Sequence, residues 1–337
     1  MSIGRAGAGI LAALAVAGPV LAADSPPPAL DLPITCAVGT DCWVVNYVDL
    51  DPSPDTRDYA CGQTTYDGHK GVDFAIRDLE AMAKGVPVLA AAAGTVEGVR
   101  DGMADLDAGR PGGRAAIAGR ECGNGVLVDH GGGWTTQYCQ LRLNSVRVKK
   151  GDRVEKSQTI GMVGHSGLAE FPHVHIQLAK DGRIVDPFVG LSRAAACGLG
   201  AHPLWSRASL EKIPYKPTAV SNVGFAQAVP KEDAARSGLH SDKVLSRRAP
   251  VLILWTDIFW VDKGDILSLR IVGPDGATIV EHSSTLDRKQ ARRFAYAGRK
   301  KKGLFWDVGK YTGEVKLTRK GEKGAEEYFA GAEIEIR

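Results

Sequence analysis

The sequence lacks several features that mark common classes of protein. After residue 21 it has no run of about 20 apolar residues, which excludes a polytopic membrane protein. It has no large charge excess: 42 basic and 39 acidic residues leave a net charge of +3, too small for nucleic-acid binding driven by charge alone. It also has no heptad pattern and no internal repeat. Its composition, 44% hydrophobic and 24% charged, is that of a globular protein rather than a disordered one.

Several familiar motifs of metal, redox and hydrolase sites are missing as well. There is no Cys-x-x-Cys, which argues against a thiolate zinc site or a redox pair. There is no His-Glu-x-x-His helix. Residues 164–167 read Gly-His-Ser-Gly, but Leu168 follows where a nucleophile elbow needs glycine.

The N-terminus is typical of a secretory signal peptide. Arg5 precedes an apolar run at residues 10–21, which is followed by small residues and a run of prolines. The run is short for a membrane span, and the first cysteine, Cys36, lies too far on for a lipid anchor at the break. We therefore expect residues 1–22 to be a signal peptide, with an uncleaved anchor as the alternative, and no transmembrane segment in the mature chain. The mature chain is then periplasmic or secreted.

All six cysteines lie beyond this segment, at positions Cys36, Cys42, Cys61, Cys122, Cys139 and Cys197. An even number in an exported chain favours disulfides. The first two are near neighbours, and Cys122 and Cys139 flank the strands of a predicted hairpin. Pairing these locally leaves Cys61 for Cys197, which is one hypothesis among the possible pairings.

Composition and periodicity divide the chain into five segments. The 41 glycines and 17 prolines favour a turn-rich, mainly β fold. We predict a signal peptide at 1–22, an N-terminal extension at 23–60, a β-rich domain at 61–197, a Pro-rich linker at 198–230 and an accessory domain at 231–337. Apolar and polar residues alternate at 266–272 and recur near 315 and 334, which indicates a small β-sandwich.

Two histidine motifs carry the chemistry. In residues 173–179, His173 and His175 alternate with apolar residues, so a strand would place both imidazoles on one face, about 6–7 Å apart. His69 and Asp73 would be about 13 Å apart in an extended chain. Nearby glycines allow a bend that brings them together, and imidazole and carboxylate are ordinary zinc ligands. Each motif alone is more often an ordinary turn or surface feature.

Together, these motifs give the region a family resemblance. From residue 66 to residue 187 it resembles the lysostaphin-like (LytM-domain) zinc endopeptidases, which hydrolyse peptidoglycan peptides. The matching stretches, in family order and spacing, are residues 66–74, 86–90, 94–96, 128–131, 134–138, 148–154, 161–164 and 171–175. The resemblance implies an antiparallel β-sheet peptidase domain, with peptidoglycan as its partner and substrate. It does not extend to residues 200–337.

The resemblance also implies a set of site residues. His69, Asp73 and His175 would hold one Zn²⁺ per chain, and His173 would be a catalytic histidine. Three protein ligands leave the open position that a catalytic zinc needs to activate water and polarise the scissile carbonyl. His173 would then serve as general base or stabilise the developing oxyanion.

One position departs from the family pattern. The family usually has a second catalytic histidine in a Tyr-x-His-Leu sequence, but residues 138–141 read Tyr-Cys-Gln-Leu. Gln140 can donate a hydrogen bond to an oxyanion but cannot exchange a proton near neutral pH. His130 and His165 are candidates to compensate, although each is more often a bystander. We expect reduced or redirected activity.

Other functions stay open. Some relatives with degenerate sites bind the cell wall or regulate separate hydrolases without cleaving it, but they commonly lack zinc ligands that this chain keeps. A lipoyl- or biotin-carrier barrel would need a modifiable lysine at a hairpin tip, and none has the usual neighbours. The C-terminal domain can bind a glycan or a protein partner, and the basic run 299–302 can contact an anionic wall polymer or simply be solvated.

Overall fold

The computed structural model describes residues 1, 26–191, 197–240, 242–321 and 324–337. The predicted signal peptide lies, apart from Met1, outside the described residues. The structure is 43% strand and 7% helix with antiparallel sheets, which confirms the mainly β fold class. Within the described part of the chain, no helix is long and apolar enough to cross a membrane.

The N-terminal domain is built on one large sheet. Its elements in chain order are β1 (Cys42–Asn46), β2 (Val72–Ile76), α1 (Leu79–Lys84), β3 (Pro87–Leu89), β4 (Gly94–Arg100), α2 (Gly113–Ala116), β5 (Asn124–Gly131), β6 (Trp134–Leu141), β7 (Arg153–Val154), β8 (Thr159–Met162), β9 (His173–Lys180) and β10 (Arg183–Ile184). The large sheet has the order β1-β2-β9-β6-β5-β4-β7, with β10 also paired to β9. Strands β3 and β8 form a separate pair.

Alternation in β9 decides which face of the large sheet packs on the core. Val174, Ile176 and Leu178 are all at most 2% exposed and belong to the main hydrophobic cluster. Because successive side chains in a strand point to opposite faces, His173 and His175 lie on the other face. The pattern that stabilises the sheet therefore also presents the two imidazoles.

The C-terminal domain is a sandwich of two sheets. Its elements are α3 (Arg207–Lys212), which precedes it, and then β11 (Ala219–Ala226), α4 (Glu232–Arg236), β12 (Val244–Leu245), β13 (Val251–Val261), β14 (Ile266–Val272), β15 (Thr278–Thr285), β16 (Gln290–Lys300), β17 (Gly309–Gly321) and β18 (Gly324–Ile336). One sheet has the order β11-β13-β16 and the other β12-β18-β17-β14-β15. Leu254 of the first sheet and Leu269 and Val315 of the second share one buried cluster. This arrangement is the predicted small sandwich.

The segment 198–230, predicted to be a linker, is instead divided between the two domains. Leu204, Trp205 and Ile213 are buried in the core of the N-terminal domain. Strand β11 pairs with β13 from Ala219 onward, so the sandwich starts before residue 231. The prolines in this segment are typical of a linker. They lie, however, among apolar residues that are buried in the core of one domain or the other. The predicted extension 23–60 likewise supplies β1 to the large sheet.

The cysteines form the three disulfides that local pairing suggested, Cys36–Cys42, Cys61–Cys197 and Cys122–Cys139. The bridge from Cys61 to Cys197 spans a sequence separation of 136 and ties the start of the peptidase-like region to its end. In the chain-entropy account, closing a loop of that length restricts the unfolded chain and stabilises the folded state by about 4–5 kcal/mol.

Asp186, which follows β10, has its carboxyl group buried inside the N-terminal domain. It is 4% exposed, and its Oδ1 accepts a hydrogen bond of 2.7 Å from the backbone N–H of Phe188. Its Oδ2 is buried without a partner among the described residues. Burial, which the nearby charge of Asp58 reinforces, raises the pKa of Asp186 to about 7.

We therefore predict that Asp186→Asn stabilises the protein at neutral and alkaline pH. The folded state keeps the proton up to about pH 7, whereas the unfolded chain releases it near pH 4. Stability therefore falls as pH rises through this interval. The variant should match wild type at pH 4 and gain up to about 4 kcal/mol in free energy of unfolding by pH 8, measured by urea titration. A pH-independent difference between Asp186→Asn and wild type would contradict the prediction.

Candidate metal centre

Strand register places four residues in one row across the large sheet. Asn46 is paired with Asp73, Asp73 with His175, and His175 with Cys139. Directly opposed residues of antiparallel strands have Cβ atoms about 4.5–5.5 Å apart on the same face. Asp73 and His175 therefore become neighbours although 102 positions separate them in the chain.

His69 reaches this row from the turn before β2. Gly68 adopts a positive φ of 73°, which turns the chain back on itself. Gly71 is needed for a different reason: a Cβ there would lie 2.5 Å from Nε2 of His175. The two glycines thus permit the close approach of His69 to the row, where its ring is almost completely buried.

Three ligand atoms converge at this point. Oδ1 of Asp73 lies 2.8 Å from Nδ1 of His175 and 3.2 Å from Nε2 of His69, and the two histidine nitrogens are 3.1 Å apart. Ligands at about 2.0–2.2 Å from a tetrahedral zinc are separated by about 3.3 Å. The spacing and the donor set of two imidazoles and one carboxylate therefore fit one zinc ion.

Hydrogen bonds orient the ligands from outside. Nδ1 of His69 lies 2.7 Å from the backbone carbonyl of Tyr47. Because a carbonyl can only accept, Nδ1 carries a proton, and in the neutral imidazole Nε2 of His69 is the nitrogen whose lone pair faces the cluster. Asn46 donates from Nδ2 to Oδ2 of Asp73 at 2.7 Å, which leaves Oδ1 for the ligand position. Such partners fix the orientation and basicity of metal ligands.

The electrostatics of the cluster favour an ionised carboxylate. Burial alone would raise the pKa of Asp73, but the charges of His69 and His173 and hydrogen bonds from the imidazoles lower it well below its usual range. Burial lowers the pKa of His175. At His69 burial also acts to lower the pKa, yet the Asp73 carboxylate outweighs it and the pKa is raised.

His173 lies beside the cluster of His69, Asp73 and His175 but contributes no atom to it. Its Nδ1 donates to the backbone carbonyl of Phe171 at 2.8 Å, and its Nε2 lies 3.9 Å from Oδ1 of Asp73. The ring of Phe171 packs on the imidazole with a centroid distance of 4.8 Å. Nε2 of His173 is therefore the nitrogen available for chemistry on the side of the ligand atoms.

The side-chain amide of Gln140 is already engaged in a hydrogen bond. It has a positive φ of 59°, and its Nε2 donates to the backbone carbonyl of Glu121 at 2.9 Å. Its Oε1 is buried and has no partner among the described residues. The amide donor that we expected to face an oxyanion thus binds the end of the segment 102–121, next to the Cys122–Cys139 disulfide.

The two auxiliary candidates differ in how they are held. Both ring nitrogens of His130 are engaged, Nδ1 with the carbonyl of Ala93 at 2.7 Å and Nε2 with Oγ1 of Thr136 at 2.8 Å. His165 has a buried Nε2 without a partner among the described residues. Burial, followed by the charge of His173, lowers the pKa of His165 to about 4. Both nitrogens of His130 are thus occupied by hydrogen bonds within the protein, whereas Nε2 of His165 is not.

Comparison with known sequences identifies a family for one part of the chain. Residues 67–187 match Peptidase family M23, and this range contains the histidine and aspartate cluster described above. Residues 67–187 form a domain of peptidase family M23. The resemblance to lysostaphin-like peptidases is thereby confirmed.

Two bacterial relatives illustrate the extent of the similarity. The chain is 34% identical over 119 residues to an uncharacterized metalloprotease of Haemophilus influenzae, a match that covers 35% of this chain and 20% of the relative. It is 32% identical over 118 residues to the peptidoglycan DD-endopeptidase ShyA of Vibrio cholerae, covering 35% and 22%. The chain thus matches only about a fifth of the length of these relatives.

Two solved structures each align with a little under half of the chain. The catalytic domain of the prophage-encoded M23 protein EnpA from Enterococcus faecalis, in a mutant form, matches with a TM-score of 0.31 and 22% identity, covering 48% of this chain and 94% of that one. The catalytic domain of lysostaphin from Staphylococcus simulans matches with a TM-score of 0.27 and 22% identity, covering 42% and 85%.

Sequence motifs missed the residues that support the M23 site from outside. Asn46 and Tyr47 lie in the predicted extension, and Phe171 was seen only as part of a matching stretch. None belongs to a ligand motif. Asn46 meets Asp73 through strand pairing, whereas Tyr47 and Phe171 act through backbone carbonyls, which any residue type supplies. The predicted extension shows no clear period, and the short apolar run of β1 does not say which strand is its neighbour.

The close contact at Gly71 leads to a prediction. Gly71→Ala should push the ring of His175 out of position, because the new Cβ would lie 2.5 Å from it. Such overpacking typically costs about 1–3 kcal/mol, which urea unfolding would detect. Gly98→Ala is the matched control, since a Cβ there meets nothing within 4 Å. Equal stability of the two variants would refute the close packing of Gly71 on His175.

Proposed function

We propose that the protein is an exported zinc endopeptidase that hydrolyses peptide bonds in peptidoglycan stem peptides or cross-links. The observation that carries the proposal is the convergence of His69, Asp73 and His175, with Nε2 of His173 beside them. Peptidoglycan is proposed as substrate because ShyA, which is similar to the M23 domain, is named a peptidoglycan DD-endopeptidase. Export rests on the signal-peptide pattern and on the disulfides.

In this proposal each residue has a defined task. His69, Asp73 and His175 would hold one zinc ion, which supplies Lewis-acid polarisation of the scissile carbonyl and activation of water. His173, whose Nδ1 proton is committed to the Phe171 carbonyl, would exchange a proton at Nε2 or donate from it to the developing oxyanion. Asn46 and Tyr47 would keep the ligands oriented.

Gln140 favours a second candidate function. Its amide is bound to the Glu121 carbonyl, so the position that usually carries a catalytic histidine offers neither a proton nor a free donor. A weakly active or inactive domain that binds the wall and regulates other wall hydrolases would have such a feature. The complete ligand set favours the enzyme, because a regulator has no need to keep it.

The first test compares wall hydrolysis with zinc content. Wild type should release peptides from purified peptidoglycan in a chelator-sensitive way, as measured by mass analysis of soluble products. His175→Ala should lose both zinc and activity. His173→Ala should keep about one zinc per chain but lose activity by about 10²–10⁴-fold, the usual contribution of a positioned acid–base group.

The regulatory alternative has a distinct outcome. It predicts no chelator-sensitive release in any variant, together with activation of a separate wall amidase that survives His173→Ala. If wild type hydrolyses the wall and His173→Ala is equally active, the catalytic role of His173 is contradicted.

The second test concerns Gln140. Gln140→His should restore a group that exchanges protons near neutral pH and should raise turnover at least tenfold, within the ~10²–10⁴-fold range of such groups. Zinc affinity should stay the same, because residue 140 is not part of the ligand cluster. Gln137→His is the control. It adds an imidazole on the same strand as Gln140, two residues before Cys139, the residue paired with His175. A rise with Gln137→His as large as with Gln140→His would show that position is irrelevant.

A further inference from the structure

The carboxylate of Asp73 is divided between two environments. Its Oδ1 faces the nitrogens of His69 and His175, whereas its Oδ2 accepts the Nδ2 hydrogen bond from Asn46. Asn46 is 6% exposed and lies at the end of β1, directly opposite Asp73. The amide therefore decides which oxygen of Asp73 is available as a ligand.

The orientation of that amide is set by the C-terminal domain. Nε1 of Trp260, in β13, donates to Oδ1 of Asn46 at 3.1 Å and to the backbone carbonyl of Val45 at 2.6 Å. An indole N–H can only donate, so it holds the oxygen side of the Asn46 amide toward the sandwich. The NH₂ group is thereby turned toward Asp73, and a flipped amide would place two oxygens against each other.

Trp260 is held in a conformation that a bulky residue rarely adopts. Its φ is +54°, in the left-handed region. Consecutive residues of a regular strand point to opposite faces, yet Phe259 and Trp260 both pack in the cluster that contains Val45 and Ala75 of the N-terminal domain. The unusual backbone thus turns two neighbouring side chains of the sandwich toward the metal-site domain.

The surrounding structure holds this conformation in place. Nη2 of Arg319 donates to the backbone carbonyl of Trp260 at 2.8 Å and to Oδ2 of Asp265 at 2.7 Å. The ammonium of Lys289 lies 5.3 Å from the centroid of the indole ring. Strained residues persist where their neighbours over-determine them, and such residues cluster at functional sites.

We propose that Trp260 is a positioning residue of the metal centre, which makes the C-terminal sandwich a part of that centre rather than an independent module. Trp260 fixes the amide of Asn46, and Asn46 holds Oδ2 of Asp73 so that Oδ1 alone faces the two histidines. The inference rests on the proposed zinc site. It gives the sandwich a function within the peptidase, apart from any contact with the wall.

The test measures zinc affinity of the full chain by competition with a chelator of known affinity. Asn46→Ala should weaken zinc binding by about 10–100-fold, as loss of an outer hydrogen bond to a metal ligand does. Trp260→Phe, which keeps the ring and removes the N–H, should weaken it by about tenfold. The double variant should be no weaker than Asn46→Ala alone, because the two residues act in series.

Trp306→Phe is the matched control. Trp306 is also a buried tryptophan of the sandwich, and its Nε1 donates to the carbonyl of Ala249 at 2.8 Å, outside any path to Asp73. This variant loses an equivalent hydrogen bond and should keep wild-type zinc affinity. A purely structural role for Trp260 predicts that both tryptophan variants lose thermal stability and that neither loses affinity.

A measurement on wild type covers the case in which Trp260→Phe fails to fold. The indole N–H resonance of Trp260 should shift when zinc is added, while that of Trp306 should not. Unchanged affinity in Trp260→Phe, or an unshifted resonance, would overturn the role of Trp260 while leaving the proposed peptidase intact. Wild type that binds no zinc would overturn both, and zinc binding without wall hydrolysis would remove only the proposed function.

Discussion

The antiparallel register of β1, β2, β9 and β6 is the constraint on which the site depends. It sets Asn46, Asp73, His175 and Cys139 side by side in one row. A shift of one residue in any of these pairings would send the side chains of that strand to the opposite face. The register is secured because that opposite face, with Val174, is buried in the core. Burial of apolar side chains therefore fixes the geometry of the polar ones.

The second constraint is the contact between the two domains. The ring of Phe171, whose carbonyl orients His173, packs against Phe259 of the sandwich at a centroid distance of 4.8 Å. The guanidinium of Arg292 lies over both rings and is paired with Asp257 at 2.6 Å. The sandwich thus touches the site on the His173 side as well as at Asn46. A domain outside the family resemblance is packed on the residues that orient the chemistry.

Much of the candidate site could be predicted from the sequence because its chemical groups lie in short local motifs. His69 with Asp73, and His173 with His175, are close in the chain and carry spacings that a bend or a strand converts into proximity. The family resemblance then joined the two pairs. The predicted linker failed for the opposite reason. Its prolines are a local signal, but whether Leu204 or Phe225 is buried depends on distant strands that a local pattern does not contain.

The supporting residues were out of reach for the same physical reason. Nothing near Gln140 in the chain indicates that its amide binds Glu121, and nothing near Trp260 indicates that its indole reaches Asn46, 214 positions away. The sequence by itself indicated the mainly β class through its turn residues and alternation. Its family resemblance supplied the ligand candidates, and the spacing of the cysteines suggested one set of pairs among several. The tertiary structure alone decided which nitrogen of His69 and of His173 faces the cluster, where the amide of Gln140 points and that the sandwich contacts Asn46 beside Asp73. Those outcomes are set by hydrogen bonds between segments that only packing brings together.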